Sequence, residues 1–191
     1  MFLQEPCTPE AAAFLEKERA ASGYVMDLER AWAWRPDTAE AFVAMRKQLT
    51  DASTLTPREI AVMVSSTARA RRDACCALAW GARLAKLADA ALAADVLRRD
   101  GAPALDAREK ALSGWAERIA LDPNATTAAD IDALRNAGLT DREILEATVY
   151  ISLRLAFATV NDALGAQPDP ELVAEAPPEV RAAVTYGRPP A

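Results

Sequence analysis

The stretch LTDREILEATVYISLRLAFATV, residues 139–160, is the clearest indication of the fold of this chain. Thr140 and Glu143 have the spacing of a capping box, which starts a helix, and residues 147–160 carry a single charge, Arg154. A helix that is apolar nearly all round is predicted to be central, covered by neighbouring helices or by another subunit. Arg154 then needs a carboxylate or backbone acceptors, either as a structural or snorkelling side chain or in a functional role.

A second copy of the start signal lies in the first half of the chain. LTPREI at 55–60 matches LTDREI at 139–144, and each copy precedes a strongly apolar segment. Thr56 and Glu59 form the corresponding capping box. The recurrence predicts two related helical halves, about 1–101 and 102–165, although a six-residue match can also arise by chance in a chain of this composition.

The remaining sequence has the composition and the helix start and stop signals of an all-α protein. Alanine is abundant, whereas glycine, aromatic and β-branched residues are few. Residues 166–191 hold six of the twelve prolines and are predicted to form an extended arm with short helices at most. Helix starts are predicted at Thr8, Tyr24, Asp37, Thr56, Asp73, Asp106, Thr127 and Thr140, with a break near Leu87 and Ala88 and stops at Gly23, Pro36, Gly101, Pro103, Pro123, Gly138 and Gly165.

Composition also limits the chemistry and the partners. A net charge of −6 at pH 7 argues against nucleic acid and anionic membranes, and no apolar run approaches the roughly 20 residues that span a bilayer. The chain has no histidine, which excludes Ser-His-Asp and Cys-His machinery and histidine-containing metal sites. Three cysteines make a poor disulfide framework, and the N-terminal residues do not resemble a signal peptide. We therefore expect a cytoplasmic protein without a metal or a bound cofactor.

Chemically reactive side chains concentrate in RRDACCALAWG, residues 71–81. Cys75 and Cys76 lie near a predicted helix start, where the helix dipole and the two nearby arginines are expected to lower a thiol pKa. A thiolate attacks a peroxide oxygen and passes through a sulfenic acid, with which a second thiol condenses. Glu59, one helix earlier, is a candidate proton acceptor. The alternative is an inert core thiol, which is the usual state of a buried cysteine.

The adjacency of the two cysteines makes them a poor redox pair. Their Cα atoms lie about 3.8 Å apart across a trans peptide, which is closer than a relaxed disulfide prefers. In a helix, neighbouring side chains also point about 100° apart. A bond between Cys75 and Cys76 would be strained, so an external thiol, or Cys7 if it approaches in space, is the other available partner.

These segments together resemble the alkylhydroperoxidase-D-like, peroxidase-related branch of the carboxymuconolactone-decarboxylase family. The resemblance runs from about Ala12 to Asp169 and rests on the order and spacing of GYVMDLERAWAWRPDTAEAFVAMRKQL, LTPREIAVMVSSTA, CCALAWGARLA and the stretch from LDAREKALSGWAERIALDPN to LRLAFATVNDALGAQPD. It implies an all-α, AhpD-like helical bundle that forms homo-oligomers (dimers, trimers or hexamers) through core helices and acts on a small-molecule substrate.

The resemblance also implies an altered site. Peroxidases of this family share a Glu followed by a Cys-x-x-Cys-x-x-x-His element, with which they reduce hydroperoxides through a disulfide relay. Glu59 corresponds to that Glu, two residues farther from the cysteine element than expected, and Cys76 corresponds to the second cysteine. Asp73 stands at the first cysteine position, Trp80 stands at the histidine position, and Cys75 occupies the variable position between. The relay therefore cannot run here in its usual form.

Three functions follow from this comparison. The first is a thiol peroxidase, an antioxidant oxidoreductase in which Cys76 attacks the peroxide. Glu59 then accepts the proton of the Cys76 thiol, and Asp73 serves as an additional acid or base. In that case Cys75 or an external thiol resolves the sulfenic acid.

The second function is a catalytically degenerate scaffold or small-molecule binding protein, with an apolar pocket lined by Trp80 and Met63. The third is a lyase or isomerase that acts on a lactone or keto acid with Glu59 and Asp73 as paired carboxylates, because like charges held close together push one pKa upward.

Overall fold

The computed structural model describes residues 1–98 and 104–190, and within them it contains helices and turns but no strand. This confirms the all-α prediction for that part of the chain. The helices are α1 (Pro9–Ser22), α2 (Asp27–Trp32), α3 (Pro36–Asp51), α4 (Pro57–Arg71), α5 (Ala74–Leu87), α6 (Ala90–Arg98), α7 (Ala107–Leu121), α8 (Ala128–Asn136), α9 (Asp141–Ala163), α10 (Pro170–Glu175) and α11 (Pro178–Ala183), with a 3-10 turn at Pro123–Ala125 before α8.

Most predicted helix starts are confirmed by their capping hydrogen bonds. The Thr8 hydroxyl accepts from the Ala11 amide at 3.2 Å, and Thr56, Asp106 and Thr140 each form a capping box with the Glu three residues later. Gly23 follows α1 in the left-handed region, with φ of 86°. These short-range signals are local to each helix end, which is why the sequence predicts them well.

Two predicted starts are wrong. α2 begins at Asp27 rather than at Tyr24, because the turn at Gly23 leaves the chain extended as far as Met26. Asp37 does not cap α3: Pro36 takes the first helical position, for which its φ is preset, and Asp37 instead pairs with Arg35 at 2.7 Å. The predicted stops Gly101 and Pro103, and the boundary between the halves at 101–102, lie outside the described residues.

The most enclosed helix is α4, not α9 as the apolar run at 147–160 suggests. Residues 61–68 of α4 are all buried, because α5, α6, α7 and α9 pack around it. In the single chain, α9 buries one face and leaves Leu145 and Ser152 exposed on another. Small polar side chains let neighbouring helices approach α4 closely: the Ser66 and Ser113 hydroxyls lie 2.7 Å apart between α4 and α7.

The proline-rich segment after α9 packs on the bundle instead of extending from it. Its two short helices, α10 and α11, contact α5 and α6. Val180 is fully buried, and it approaches Gly81 of α5 so closely that a Cβ added there would lie 2.8 Å from a Val180 methyl group. Glycine at position 81 therefore permits this segment to complete the core.

Arg108 joins the two repeated capping boxes. Its guanidinium donates to Glu59 Oε1 and to Glu143 Oε1, each at 2.5 Å, and also to the Gly138 carbonyl at 2.7 Å. Both carboxylates are buried and cap their own helices at the same time. A single cation on α7 thus holds the starts of α4 and α9 together.

Replacing Arg108 should destabilise the fold, because two buried carboxylates would lose their counter-charge. We expect Arg108→Gln to lower the free energy of unfolding by about 3 kcal/mol, measured by urea denaturation. The matched control is Arg135→Gln, which removes an exposed arginine with two carboxylate partners and should leave the midpoint nearly unchanged. Equal effects of the two variants would contradict this role for Arg108.

Candidate functional site

A cavity of about 670 Å³ lies between the N-terminal helices, the start of α5 and the second half of α9. α1, α2 and α3 form one side of it, and the first turn of α5 forms part of the other. Its wall is mainly apolar and aromatic, with Phe14, Leu28, Trp32, Val43, Phe157 and Leu172 among the lining residues.

Both adjacent cysteines line this cavity from the first turn of α5. Asp73 is the N-cap of the helix, and its Oδ1 accepts from the Cys76 amide at 2.9 Å. Cys75 and Cys76 are free thiols, each 8% exposed, whereas Cys7 is exposed and does not line the cavity. The structure therefore brings Cys75, Cys76 and Asp73 together, as the spacing of residues 71–81 leads us to expect.

Arg154 places a buried positive charge against Cys76. Its Nη2 donates to Cys76 Sγ at 3.1 Å, and its guanidinium lies over the rings of Trp80 and Phe157 at 5.3 and 5.4 Å. The expectation of a carboxylate or backbone partner is wrong. Within the described residues, the thiol and the two ring faces are its partners, and its buried Nε has no acceptor.

The two thiols are held in their protonated form. Burial raises the pKa of both, and the Asp73 carboxylate raises them further, whereas Arg154 acts in the opposite direction on Cys76. The sequence-based expectation of a lowered thiol pKa is therefore wrong. Its sources, Arg71 and Arg72, are exposed, and burial outweighs the helix start.

Arg46 of α3 is a second arginine at the same end of the cavity, and it is not among the site residues predicted from the sequence. Its guanidinium lies 5.2 Å from the Phe157 ring centroid, and its buried Nε has no hydrogen-bond acceptor. Burial and repulsion from Arg154 lower its pKa. A signal was present in the sequence, because Arg46 follows Phe42 by four residues and so shares its helix face.

Carboxylates gather at a separate, acidic end of the cavity. Burial raises the pKa of Glu29 to about 7, and the negative charges of Glu18 and Asp169 add to this effect. Glu40, at the same cavity, pairs with Lys17 at 2.6 Å. In the described structure none of these four carboxylates pairs with Arg46 or Arg154, so the cavity has a basic end at the two arginines and an acidic end. Asp169 of the acidic end also acts on Cys75, whose pKa its charge raises.

Glu59 does not line this cavity. Its Oε1 accepts from Arg108 and its Oε2 accepts from the Thr56 amide at 2.7 Å, so both oxygens are used in capping and ion pairing. It lies in the first turn of α4, and the rise to Arg71 at the other end is about 18 Å. Cys76 follows that other end, in the first turn of α5. In this arrangement Glu59 cannot accept a proton from Cys76 or pair with Asp73.

Neither residue expected to line the pocket does so. Met63 is fully buried between α4 and its neighbours, in the core cluster that includes Trp115 and Ile151. Trp80 packs beside the cavity and supports it indirectly, because its ring contacts the Arg154 guanidinium and also the Arg83 guanidinium, the latter at 5.0 Å.

In residues 1–98 and 104–190, no cluster of three or more ligating side chains is placed to hold a metal ion. Likewise, no helix of the described ranges has the length and apolarity to cross a membrane.

Charge changes at Asp73 and Arg154 should move the Cys76 pKa in opposite directions. In a Cys7→Ser/Cys75→Ser background, we expect Asp73→Asn to shift the pH profile of iodoacetamide alkylation down by about one unit, and Arg154→Gln to shift it up by a similar amount. Asn remains a good N-cap, so the first variant should fold normally. Shifts in the same direction would show that the two side chains do not set the thiol pKa as described.

Comparison with known proteins identifies the fold. No family model matches the chain, and no curated protein matches it. Among solved structures, an uncharacterized peroxidase-related protein from Silicibacter sp. TM1040 is 22% identical, with a TM-score of 0.79 over 90% of this chain and 93% of that chain. A second is an uncharacterized peroxidase-related protein from Ralstonia eutropha JMP134, described as an alkylhydroperoxidase AhpD core. It is 24% identical, with a TM-score of 0.75 over 88% of this chain and 93% of that chain.

A third structure of the same architecture has a different described activity. It is a Cys-to-Ala variant of the debrominase Bmp8 in complex with 2,3,4-tribromopyrrole, 14% identical, with a TM-score of 0.70 over 95% of this chain and 93% of that one. At these identities the likeness concerns the fold. The chain therefore has the all-α fold of the alkylhydroperoxidase AhpD core, as the resemblance in its sequence predicts.

Proposed function

We propose that this protein is a thiol-dependent oxidoreductase that reduces organic hydroperoxides with Cys76. The observation that carries the proposal is the position of this thiol. It lines a cavity large enough for a small organic molecule, with the Asp73 carboxylate and the Arg154 guanidinium against it. The peroxidase-related proteins that share the fold support the same chemistry.

The three side chains can carry out the first step together. Asp73 accepts the Cys76 proton, and the resulting thiolate is stabilised by the hydrogen bond from Arg154. The thiolate attacks the terminal peroxide oxygen, the O–O bond breaks, and the leaving alkoxide takes the proton back from Asp73. The thiol and the hydroperoxide become a sulfenic acid and an alcohol, and no atom is left over.

An external thiol completes the cycle. The sulfenic acid condenses with one external thiol to give a mixed disulfide and water, and a second external thiol restores Cys76 and leaves as the disulfide. Cys75 is a poor resolving group because it neighbours Cys76 in the same helical turn. This cycle needs a reducing environment, so we place the protein in the cytoplasm.

A small-molecule binding protein without turnover is the second candidate. The raised pKa of both cavity thiols favours it, because little thiolate is present near neutral pH. A debrominase of the same fold holds 2,3,4-tribromopyrrole, so this architecture can accommodate a small aromatic ligand. The lyase hypothesis loses its paired carboxylates, since Glu59 and Asp73 lie at opposite ends of α4.

The peroxidase proposal predicts a thiol-dependent turnover that Cys76 alone makes possible. With dithiothreitol as reductant and cumene hydroperoxide as substrate, we expect Cys76→Ser to lower the rate at least about 100-fold. The matched control, Cys75→Ser, removes the neighbouring cavity thiol and should keep most of the rate. Peroxide loss is followed by stopped-flow absorbance, and a sulfenic-acid probe locates the oxidised residue.

Asp73→Asn separates proton transfer from thiol acidity. It should speed alkylation, because the thiol pKa falls, yet slow peroxide turnover, because no carboxylate returns the proton to the leaving group. Absence of thiol-dependent turnover in the wild-type protein, or an unchanged rate in Cys76→Ser, would leave the binding protein as the better assignment.

We also propose that the chain forms homo-oligomers. Several large apolar side chains are exposed in the single chain, namely Val43, Met45, Leu121 and Leu145, each more than half exposed, and burial of such side chains favours association. Light scattering should give two or more times the mass of one 191-residue chain. Leu145→Glu, on the exposed face of α9, should shift the protein toward the monomer, and a monomeric wild type at micromolar concentration would contradict the proposal.

A further inference from the structure

The basic end of the cavity contains two arginines without an anionic partner. Arg154 is 6% exposed, and both its Nε and that of Arg46 are buried without an acceptor in the described structure. Neither side chain has a carboxylate within ion-pairing distance among those residues. Phe157 lies close to both guanidinium groups and offers its ring face, which satisfies part of each charge but is not a conventional hydrogen-bond acceptor. One donor, Arg154 Nη2, is used by Cys76 Sγ.

Two neighbouring guanidinium groups, one buried and one partly buried, are unfavourable without an anion. Buried polar groups nearly always have hydrogen-bond partners, and buried charges are normally paired. Here burial, and after it repulsion from Arg154, lower the Arg46 pKa. The carboxylates of the cavity do not relieve this repulsion, because Glu29, Glu18 and Asp169 form their own cluster.

The wall between the two ends is apolar and well ordered by its own contacts. Trp32 stacks on Phe157 with ring centroids 5.1 Å apart and planes at 7°, and its indole N–H donates to Asn161 at 2.8 Å. The indole nitrogen is thus already satisfied, and the ring presents an apolar surface to the cavity. Phe14 and Leu28 line the same space.

We propose that this cavity binds a small apolar organic acid, with the carboxylate at Arg46 and Arg154 and the apolar body against Trp32 and Phe157. A guanidinium pair provides several N–H donors in the geometry that carboxylates prefer. The cavity of about 670 Å³ is within the usual range for such ligands. The carboxylates of Glu18 and Asp169 disfavour the reverse orientation, because they would repel the ligand carboxylate.

The corresponding substrate is an apolar peroxy acid, and this assignment rests on the proposed function. The Cys76 thiolate would attack the outer peroxide oxygen, the O–O bond would break, and the products would be the sulfenic acid and the carboxylate. The negative charge of the leaving carboxylate then develops beside the two arginines, where it is stabilised. The product is the same apolar carboxylate that the cavity binds.

Binding is tested without any thiol chemistry, so its outcome is independent of the peroxidase assay. Isothermal titration calorimetry of the full chain measures its affinity for octanoate and for octanamide, two ligands of nearly equal shape that differ in charge. We expect octanoate to bind at least about tenfold more tightly than octanamide. Equal affinities, or no binding of octanoate, would overturn the proposal.

Two arginine variants locate the contact. Arg46→Gln should weaken octanoate binding about tenfold and change octanamide binding less than about twofold. Arg83→Gln is the matched control, because Arg83 also lies over an aromatic ring, 5.0 Å from Trp80, but does not line the cavity. Arg46 is only partly buried, so its variant should fold, which circular dichroism checks, and Arg46→Lys should recover part of the affinity. An equal loss in the Arg83 variant would overturn the assignment.

Discussion

Burial of the Arg154 charge is the constraint on which the site depends. A guanidinium that is 6% exposed must be surrounded by groups that tolerate its charge. In this chain those groups are the Cys76 sulfur and the faces of Trp80 and Phe157. They come from α5 and α9, so the contact fixes how these helices meet at the cavity. Because none of the groups is an anion, the charge remains available to a reacting sulfur or to a ligand.

The same neighbourhood sets the resting state of the thiol. Burial and the Asp73 carboxylate raise the Cys76 pKa, and Arg154 opposes them without overcoming them. Asp73 also caps α5 through the Cys76 amide. One carboxylate therefore fixes the start of the helix and stands beside the proton that must leave. Stability and reactivity are coupled at this position, since the fold holds the carboxylate where the chemistry needs it.

The sequence predicts those features that depend on local chemistry. Capping boxes at Thr56 and Thr140 and the N-cap at Asp73 involve residues three apart, so they could be recognised without the fold. The cavity could not be predicted, because helices far apart in sequence enclose it. Arg46 reaches Phe157 across more than a hundred residues. Glu59 shows the converse: the motif placed it near the thiol, but Arg108 holds it at the other end of α4.

The two arginines also limit which form of a peroxide the site can use. An anion bound to Arg46 and Arg154 competes with the Cys76 thiolate for the same positive charge, so it disfavours the ionised sulfur. A neutral peroxide entering the apolar cavity leaves the positive charge free to stabilise the thiolate. Negative charge then moves from sulfur to the leaving group while the guanidinium groups stay in place. The positive charge of the two arginines thus stabilises first the Cys76 thiolate and then the anionic leaving group. Release of the leaving group restores the site.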